Sequence, residues 1–275
     1  SEFKVSGQGL AFSTDCTGVT IGKDQTTDTY TEEFYPNVKI AGPIRLYFGY
    51  LNVRGNLETT GGAGSEIRLK SQGRIYIATS ISIKTAGGDF VVWTNHDKVA
   101  GTNLSDGTIY IESAVSVTTG GGKIWMGGGL DDGGADASIT SSRGKWSTVA
   151  ASDGLPDGYA VGYNNNDAWR CGIYVAASSS FKSGGGDIFM AGAGGPTASA
   201  GGAHIGLQNG VVIDAGAGRV ALWGRALTGT NNWNQGIALN WTDNGQPVII
   251  TSDAATADAI TLYSDSSAST DPSAR

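Results

Sequence analysis

With 275 residues, 18 basic side chains against 25 acidic ones and a formal charge of −7, the chain has no basic cluster that could displace phosphate counterions, which excludes nucleic acid and anionic lipid as expected partners. Its 44 glycines are too many for an ordinary globular core and lack the every-third-residue period of collagen. No apolar run reaches the roughly eighteen residues of a membrane-spanning helix, so direct membrane insertion is not expected, and two cysteines cannot make a disulfide framework.

The chain opens on Ser1-Glu2-Phe3, which reads as a cloning scar on a fragment of something longer. Residues 1–48 are expected to form an N-terminal cap or a degenerate first coil, in which Val38/Ile40 and Ile44/Leu46 have the spacing of inward-facing pairs. Residues 49–263 carry a repeat. Gly73 to Thr85 and Gly107 to Thr119 are nearly the same text, and each continues through a Gly-rich turn into another apolar alternation.

One repeat holds three short stretches of period two, the pattern of strands with one buried face. Ile75, Ile77, Ile81, Ile83, Phe90 and Val92 recur as Ile109, Ile111, Val115, Val117, Ile124 and Met126, and again as Ile205, Leu207, Val211, Ile213, Val220 and Leu222. Two weaker coils fit: Leu51, Val53, Leu57, Thr59, Ile67 and Leu69; and Ile173, Val175, Ser179, Phe181, Ile188 and Met190. A looser last coil carries Ile237/Leu239, Val248/Ile250 and Ile260/Leu262, and residues 264–275, rich in Ser, Asp and Ala, read as a disordered tail.

Three strands and three corners per repeat, stacked at the inter-strand spacing of about 4.8 Å, make an all-β parallel β-helix, with a right-handed crossover expected. The glycines fall at corners, where positive φ is needed. Residues 127–170 are one long insertion, with Trp146, Tyr159, Tyr163, Trp169 and the acidic group Asp131, Asp132 and Asp136. It serves either as a cover over outward apolar residues or as a binding site.

The runs Gly-Gly-Asp-Phe-Val-Val-Trp-Thr-Asn at 87–95, Gly-Gly-Gly-Lys-Ile-Trp-Met-Gly-Gly-Gly at 120–129 and Gly-Gly-Gly-Asp-Ile-Phe-Met-Ala-Gly at 184–192 resemble the repeats of filamentous-haemagglutinin-like bacterial adhesins. The likeness spans roughly residues 50–240. It implies a secreted or cell-surface bacterial protein whose β-helix shaft holds adhesive parts away from the cell, with surface glycans or host and partner-cell proteins as the partners.

Sites of chemistry are sparse. Gly216 to Ala221 matches a dinucleotide fingerprint, but the same corner in other coils continues as a strand, so no helix N-terminus is expected to hold a pyrophosphate. The run from Gly184 to Asp187 is similar to calcium-binding nonapeptide repeats, yet the counterparts of Asp187 in other coils, Glu66, Asp89, Lys123 and Arg219, alternate in sign and read as solvated corner charges. His96 and His204 lack metal spacing and read as ordinary corner residues, and whether Cys16 and Cys171 pair is left open. No catalytic, cofactor or metal residue is assigned.

Contact residues are the better candidates. Tyr76, Tyr110 and Tyr174 lie between the inward residues of one strand in successive coils, so they should stack as an outward ladder, and Trp146, Tyr163 and Trp169 join them as possible contacts. On the third strand the outward column, Arg68, Val91, Trp125, Phe189 and Ala221, is also rather apolar. The reading is a non-enzymatic structural and adhesive segment; the alternative is a carbohydrate-active β-helix enzyme, for which Asp131, Asp132 and Asp136 are the available carboxylates. Ile111→Asp is expected to prevent folding and Lys123→Glu to be nearly neutral.

Overall fold

The computed structural model describes residues 12–13, 15–24, 31–95, 107–131, 153–162, 171–194, 204–225, 235–240 and 245–265. After β1 (Val19–Gly22) come the turns β2 (Thr31–Phe34), β3 (Val38–Ile40), β4 (Ile44–Phe48); β5 (Tyr50–Val53), β6 (Leu57–Thr59), β7 (Ile67–Ser71); and β8 (Ile75–Ile77), β9 (Ser82–Lys84), β10 (Phe90–Thr94). Next are β11 (Ile109–Ile111), β12 (Ser116–Thr118), β13 (Ile124–Gly128), a short β14 (Ala160–Val161) outside the winding, and β15 (Ile173–Val175), β16 (Ser180–Lys182), β17 (Ile188–Ala193). The stack ends with β18 (Ile205–Leu207), β19 (Val212–Asp214), β20 (Val220–Arg225), then β21 (Ile237–Leu239), β22 (Ile249–Thr251), β23 (Ile260–Asp265).

Each turn gives one strand to each of three sheets. The first runs β2-β5-β8-β11-β15-β18-β21, the second β3-β6-β9-β12-β16-β19-β22 and the third β1-β4-β7-β10-β13-β17-β20-β23. The chain is a parallel β-helix, and its register is the one the alternation dictates. Ile109 lies beside Ile75 and Ile173, Val117 beside Ile83 and Phe181, and Met126 beside Val92 and Met190; all nine are fully buried. A slip by one residue would turn each such column out to water.

One turn departs from the expected alignment. Leu57 stands beside Ile83, two places on from where its sequence position suggests, so Thr59 falls in line with Thr85 and Gly55 takes the place that Ile81 fills elsewhere. Ser179 does sit in the core, in line with Val115. Its hydroxyl donates to the Glu112 carbonyl at 2.9 Å and accepts the Val115 N–H at 3.2 Å, which removes the cost of burying it.

The slip brings out a polar column inside the apolar one. Thr59, Thr85, Thr119 and Ser183 are buried one above another at the corner after the second sheet. Each bonds the carbonyl of its own turn: Thr59 to Ser65 at 2.6 Å, Thr85 to Gly88, Thr119 to Gly122 and Ser183 to Gly186. Thr85, Thr119 and Ser183 also lie within 2.9, 3.1 and 3.0 Å of the carbonyls of Thr119, Ser183 and Ala215 in the next turn. A hydroxyl has one proton, so each is shared between two carbonyls. Thr85 and Thr119 thus form a stacked threonine column, facing inward rather than out.

Glycines serve this corner in two ways. Gly121 has φ 115°, open to glycine alone. Gly122 has an ordinary φ but no room: a Cβ there would fall 2.1 Å from the Gly88 carbonyl oxygen of the turn before.

Val38, Ile40, Ile44 and Leu46 are buried and pair in register with the following turn, so they belong to a complete coil. At the other end β23 runs through Ser264 and Asp265, and residues 266–275 lie outside the described residues. Between β8 and β19 the connections from first to second sheet keep four residues. Those from third to first sheet range from Gly49 alone, between β4 and β5, to residues 129–172, between β13 and β15.

Candidate contact surfaces

Alternation sends Tyr76, Tyr110 and Tyr174 outward from the first sheet, side by side in register. Their ring centroids are 5.5 and 4.9 Å apart, so the rings spend their faces on one another. The Arg54 guanidinium covers the other face of Tyr76 at 5.5 Å, held there by Glu33, which also accepts from Asn52 Nδ2 at 2.6 Å. Beyond Tyr174 the column falls away to Gly206 and Ala238.

What this ladder can offer a ligand is ring edges and hydroxyls. Tyr76 and Tyr110 are half-buried, and Tyr76 Oη donates to Glu112 at 3.2 Å. Tyr174 is only 8% exposed. Burial pushes the Tyr110 phenol up to about 12, with the charge of Glu112 adding to it, and burial raises Tyr174 as well. Both therefore remain protonated donors at neutral pH. Trp146, Tyr163 and Trp169 lie outside the described residues.

The outward face of the third sheet is closed over its middle. Residues 153–162 cross it as a strap: Gly128 and Gly158 form an antiparallel bridge, and β14 pairs with β17 through Ala160 and Gly192. Leu155, Tyr159 and Val161 pack with Val91, Trp93, Trp125, Phe189 and Trp223 in a second core outside the helix. Trp125 stacks on Phe189 at 4.4 Å and donates its indole N–H to Pro156 at 3.0 Å. The described part of the insertion is thus a cover.

Asp131 holds that cover in place. One carboxylate oxygen accepts the Asp153 N–H at 3.0 Å and the other the Gly154 N–H at 2.8 Å, both bonds being charge-assisted. Asp132 and Asp136 lie outside the described residues.

Below the strap the same face is charged. Glu66 bonds Arg45 Nε and an Arg68 terminal nitrogen, each at 2.8 Å. Burial works to raise its pKa, but the two guanidiniums bring it below the ordinary carboxylate value. Lys70 Nζ sits 4.0 Å from the centre of the Trp93 ring and 2.7 Å from Asp24.

The corner charges are ties between turns as well as solvated groups. Asp89 accepts the backbone N–H of Lys123 at 2.7 Å, and Asp187 that of Arg219 at 2.8 Å and its guanidinium at 3.2 Å. From Asp89 through Lys123 and Asp187 to Arg219 the sign alternates between stacked neighbours, which favours the stack, while Glu66 beneath Asp89 is matched instead by Arg45 and Arg68. After Gly218 the chain enters strand β20 rather than a helix, so the dinucleotide fingerprint lacks its structural context there.

His204 is a second residue, after Leu57, that sequence reasoning misplaced. Expected at an ordinary corner, it is 2% exposed, and among the described residues neither ring nitrogen has a hydrogen-bond partner. In its column it stands between Gly172 and Gly236, and Gly194 packs so close that a Cβ would fall 2.3 Å from Nδ1. Burial lowers its pKa to about 4. His96 lies outside the described residues, Cys16 and Cys171 are free thiols, and among the described residues no three His, Cys, Asp or Glu side chains gather as a metal site would need. Comparison with protein-family models, curated proteins and solved structures finds no match for this chain.

Proposed function

We propose that the protein is a structural and adhesive segment of a bacterial cell-surface or secreted protein: a stiff shaft that displays contact residues, including the hydroxyl edges of Tyr76 and Tyr110, to glycans or partner proteins, without chemistry of its own. The observation that carries this reading is the unbroken stack, in which the inward columns and the backbone ladder continue through seven turns, roughly 30 Å at about 4.8 Å per turn. In support, the carboxylates of Glu66, Asp89, Asp131 and Asp187 are engaged in holding turns or strap together, where an acid–base pair would need them open to substrate.

The test is a glycan array probed with the whole chain, with a Tyr76→Phe/Tyr110→Phe variant that keeps the stacked rings, and with a Trp146→Ala/Trp169→Ala variant that keeps the strap. Binding that one of these variants loses supports the adhesive reading. A folded chain that binds nothing reduces the proposal to a passive shaft. Release of new reducing ends from a polysaccharide would replace it with the carbohydrate-active alternative.

A further inference from the structure

Two like charges are stacked where packing alone would keep them apart. Arg45 on β4 stands directly beside Arg68 on β7, on the outward face of the third sheet, and like charges opposite one another on neighbouring strands cost stability. Glu66 offsets the repulsion from one side only. It accepts from Nε of Arg45 and from one terminal nitrogen of Arg68. Both terminal nitrogens of Arg45 and the second one of Arg68 have no partner among the described residues. The Arg45 side chain is 40% exposed and that of Glu66 17%, so the carboxylate is the sheltered member of the group and the guanidinium the open one.

Tyr47 adjoins the pair. It stands between Gly22 and Lys70 in the next outward column, half-buried, and its hydroxyl has no partner among the described residues. Burial raises its pKa, and the charges of Arg68, Asp24, Arg45 and Glu66 all act on it, so it is a protonated donor in the midst of them. Lys70 is matched by Asp24 at 2.7 Å. Two arginines sharing one carboxylate therefore leave a positive excess here, on a chain whose net charge is −7. Gly154, at the edge of the strap, borders the group on the side of Arg68.

We propose that Arg45, Arg68 and Tyr47 bind the carboxylate of an acidic sugar. Guanidinium forks and a phenol supply the charge-assisted donors that a planar carboxylate accepts, and the Tyr47 ring offers an apolar edge beside them for the sugar itself. Glu66 holds both forks before the ligand arrives, which cuts the ordering cost of binding. A second carboxylate also relieves the repulsion that Glu66 leaves between the stacked arginines. The site rests on the glycan-binding reading above and narrows it to uronate-bearing chains. It lies on a different sheet from Tyr76 and Tyr110, so the two contacts can be tested apart.

Titration calorimetry of the whole chain with oligomers of galacturonate and of glucuronate, with their methyl esters and with a sulfated galactose oligomer separates charge from sugar. One of the uronates should bind, more weakly as salt is raised, and its methyl ester should bind about tenfold less tightly. Arg45→Gln leaves Glu66 paired with Arg68; it should keep the circular dichroism of the parent and weaken uronate binding about tenfold. Tyr47→Phe should weaken it by a smaller factor, and Tyr76→Phe/Tyr110→Phe should leave it unchanged. No uronate binding, equal binding of acid and ester, tighter binding of the sulfated oligomer, or uronate binding that both Arg45→Gln and Tyr47→Phe leave intact would overturn the proposal while neutral glycans still bound to the array keep the adhesive reading. A folded chain that binds no glycan of any charge would remove both.

Discussion

Replacing His204 by glutamine should make the protein less sensitive to mild acid. The folded chain holds this imidazole at a pKa of about 4, by burial alone, against an ordinary value of 6.5. Between those values the unfolded chain takes up a proton that the folded chain refuses, so stability is highest above pH 6.5 and declines as pH falls toward 4. At about 1.4 kcal/mol per pH decade, the loss across the window is about 3 kcal/mol. Glu66 and Glu33 act elsewhere: their pKa values are lowered in the folded state, so what they contribute is present above the ordinary carboxylate value of 4.5 and is lost below it. Urea unfolding followed by tryptophan fluorescence at a series of pH values from neutral to about 4.5 separates the two windows. The absolute stability of the variant is a separate matter, since its amide is buried too; the slope with pH is the readout. Parallel stability curves for parent and His204→Gln would refute the reasoning.

Thr119→Val removes one shared hydroxyl from the buried column and should cost about 1 kcal/mol, read as a drop in the urea midpoint; the Ser183 carbonyl keeps the Gly121 N–H at 2.6 Å, which limits the loss. Ile111→Asp places an unpaired charge at a fully buried position and should leave no folded signal in circular dichroism. Lys123→Glu, neutral on sequence grounds, should instead destabilise by about 1 kcal/mol because it sets a third carboxylate between Asp89 and Asp187, and the effect should shrink in high salt. Asp131→Ala should free the strap, raising quenching of Trp125 by iodide and cleavage near residue 153 while the main unfolding transition stays in place.

The coil register was legible because a buried face leaves a period of two that can be counted, and Ile75, Ile109, Ile173 and Ile205 occupy one column as their spacing says. The misplaced turn at Leu57 shows the limit of counting: Gly55 fills a core position with no side chain, so nothing in the apolar pattern marks its place. The hydroxyl column was hidden for a related reason. Thr85, Thr119 and Ser183 directly precede Gly-rich turns, where Ser and Thr are common for local reasons, and burial becomes visible only when the turns are stacked. The strap had a signal, the apolar outward column of Val91, Trp125 and Phe189, but no pattern of its own, since residues 153–162 contribute one two-residue strand. His204 had none, because a single histidine at a corner carries no period.

Unequal connections at one corner of the triangle make the shaft a ruler. The corner after the second sheet is fixed by bonded hydroxyls and crowded glycines and the one before it keeps four residues between β8 and β19, whereas the corner from third to first sheet already tolerates anything from one residue to a long excursion, and lengthening a flexible loop costs only about 0.6 kcal/mol per doubling. Peptides grafted in place of residues 195–203 and 226–234 would be anchored one turn apart, about 4.8 Å along the axis. A graft in place of residues 96–106 would be anchored two and three turns from them. The distance between two displayed segments is then set by which turns carry them.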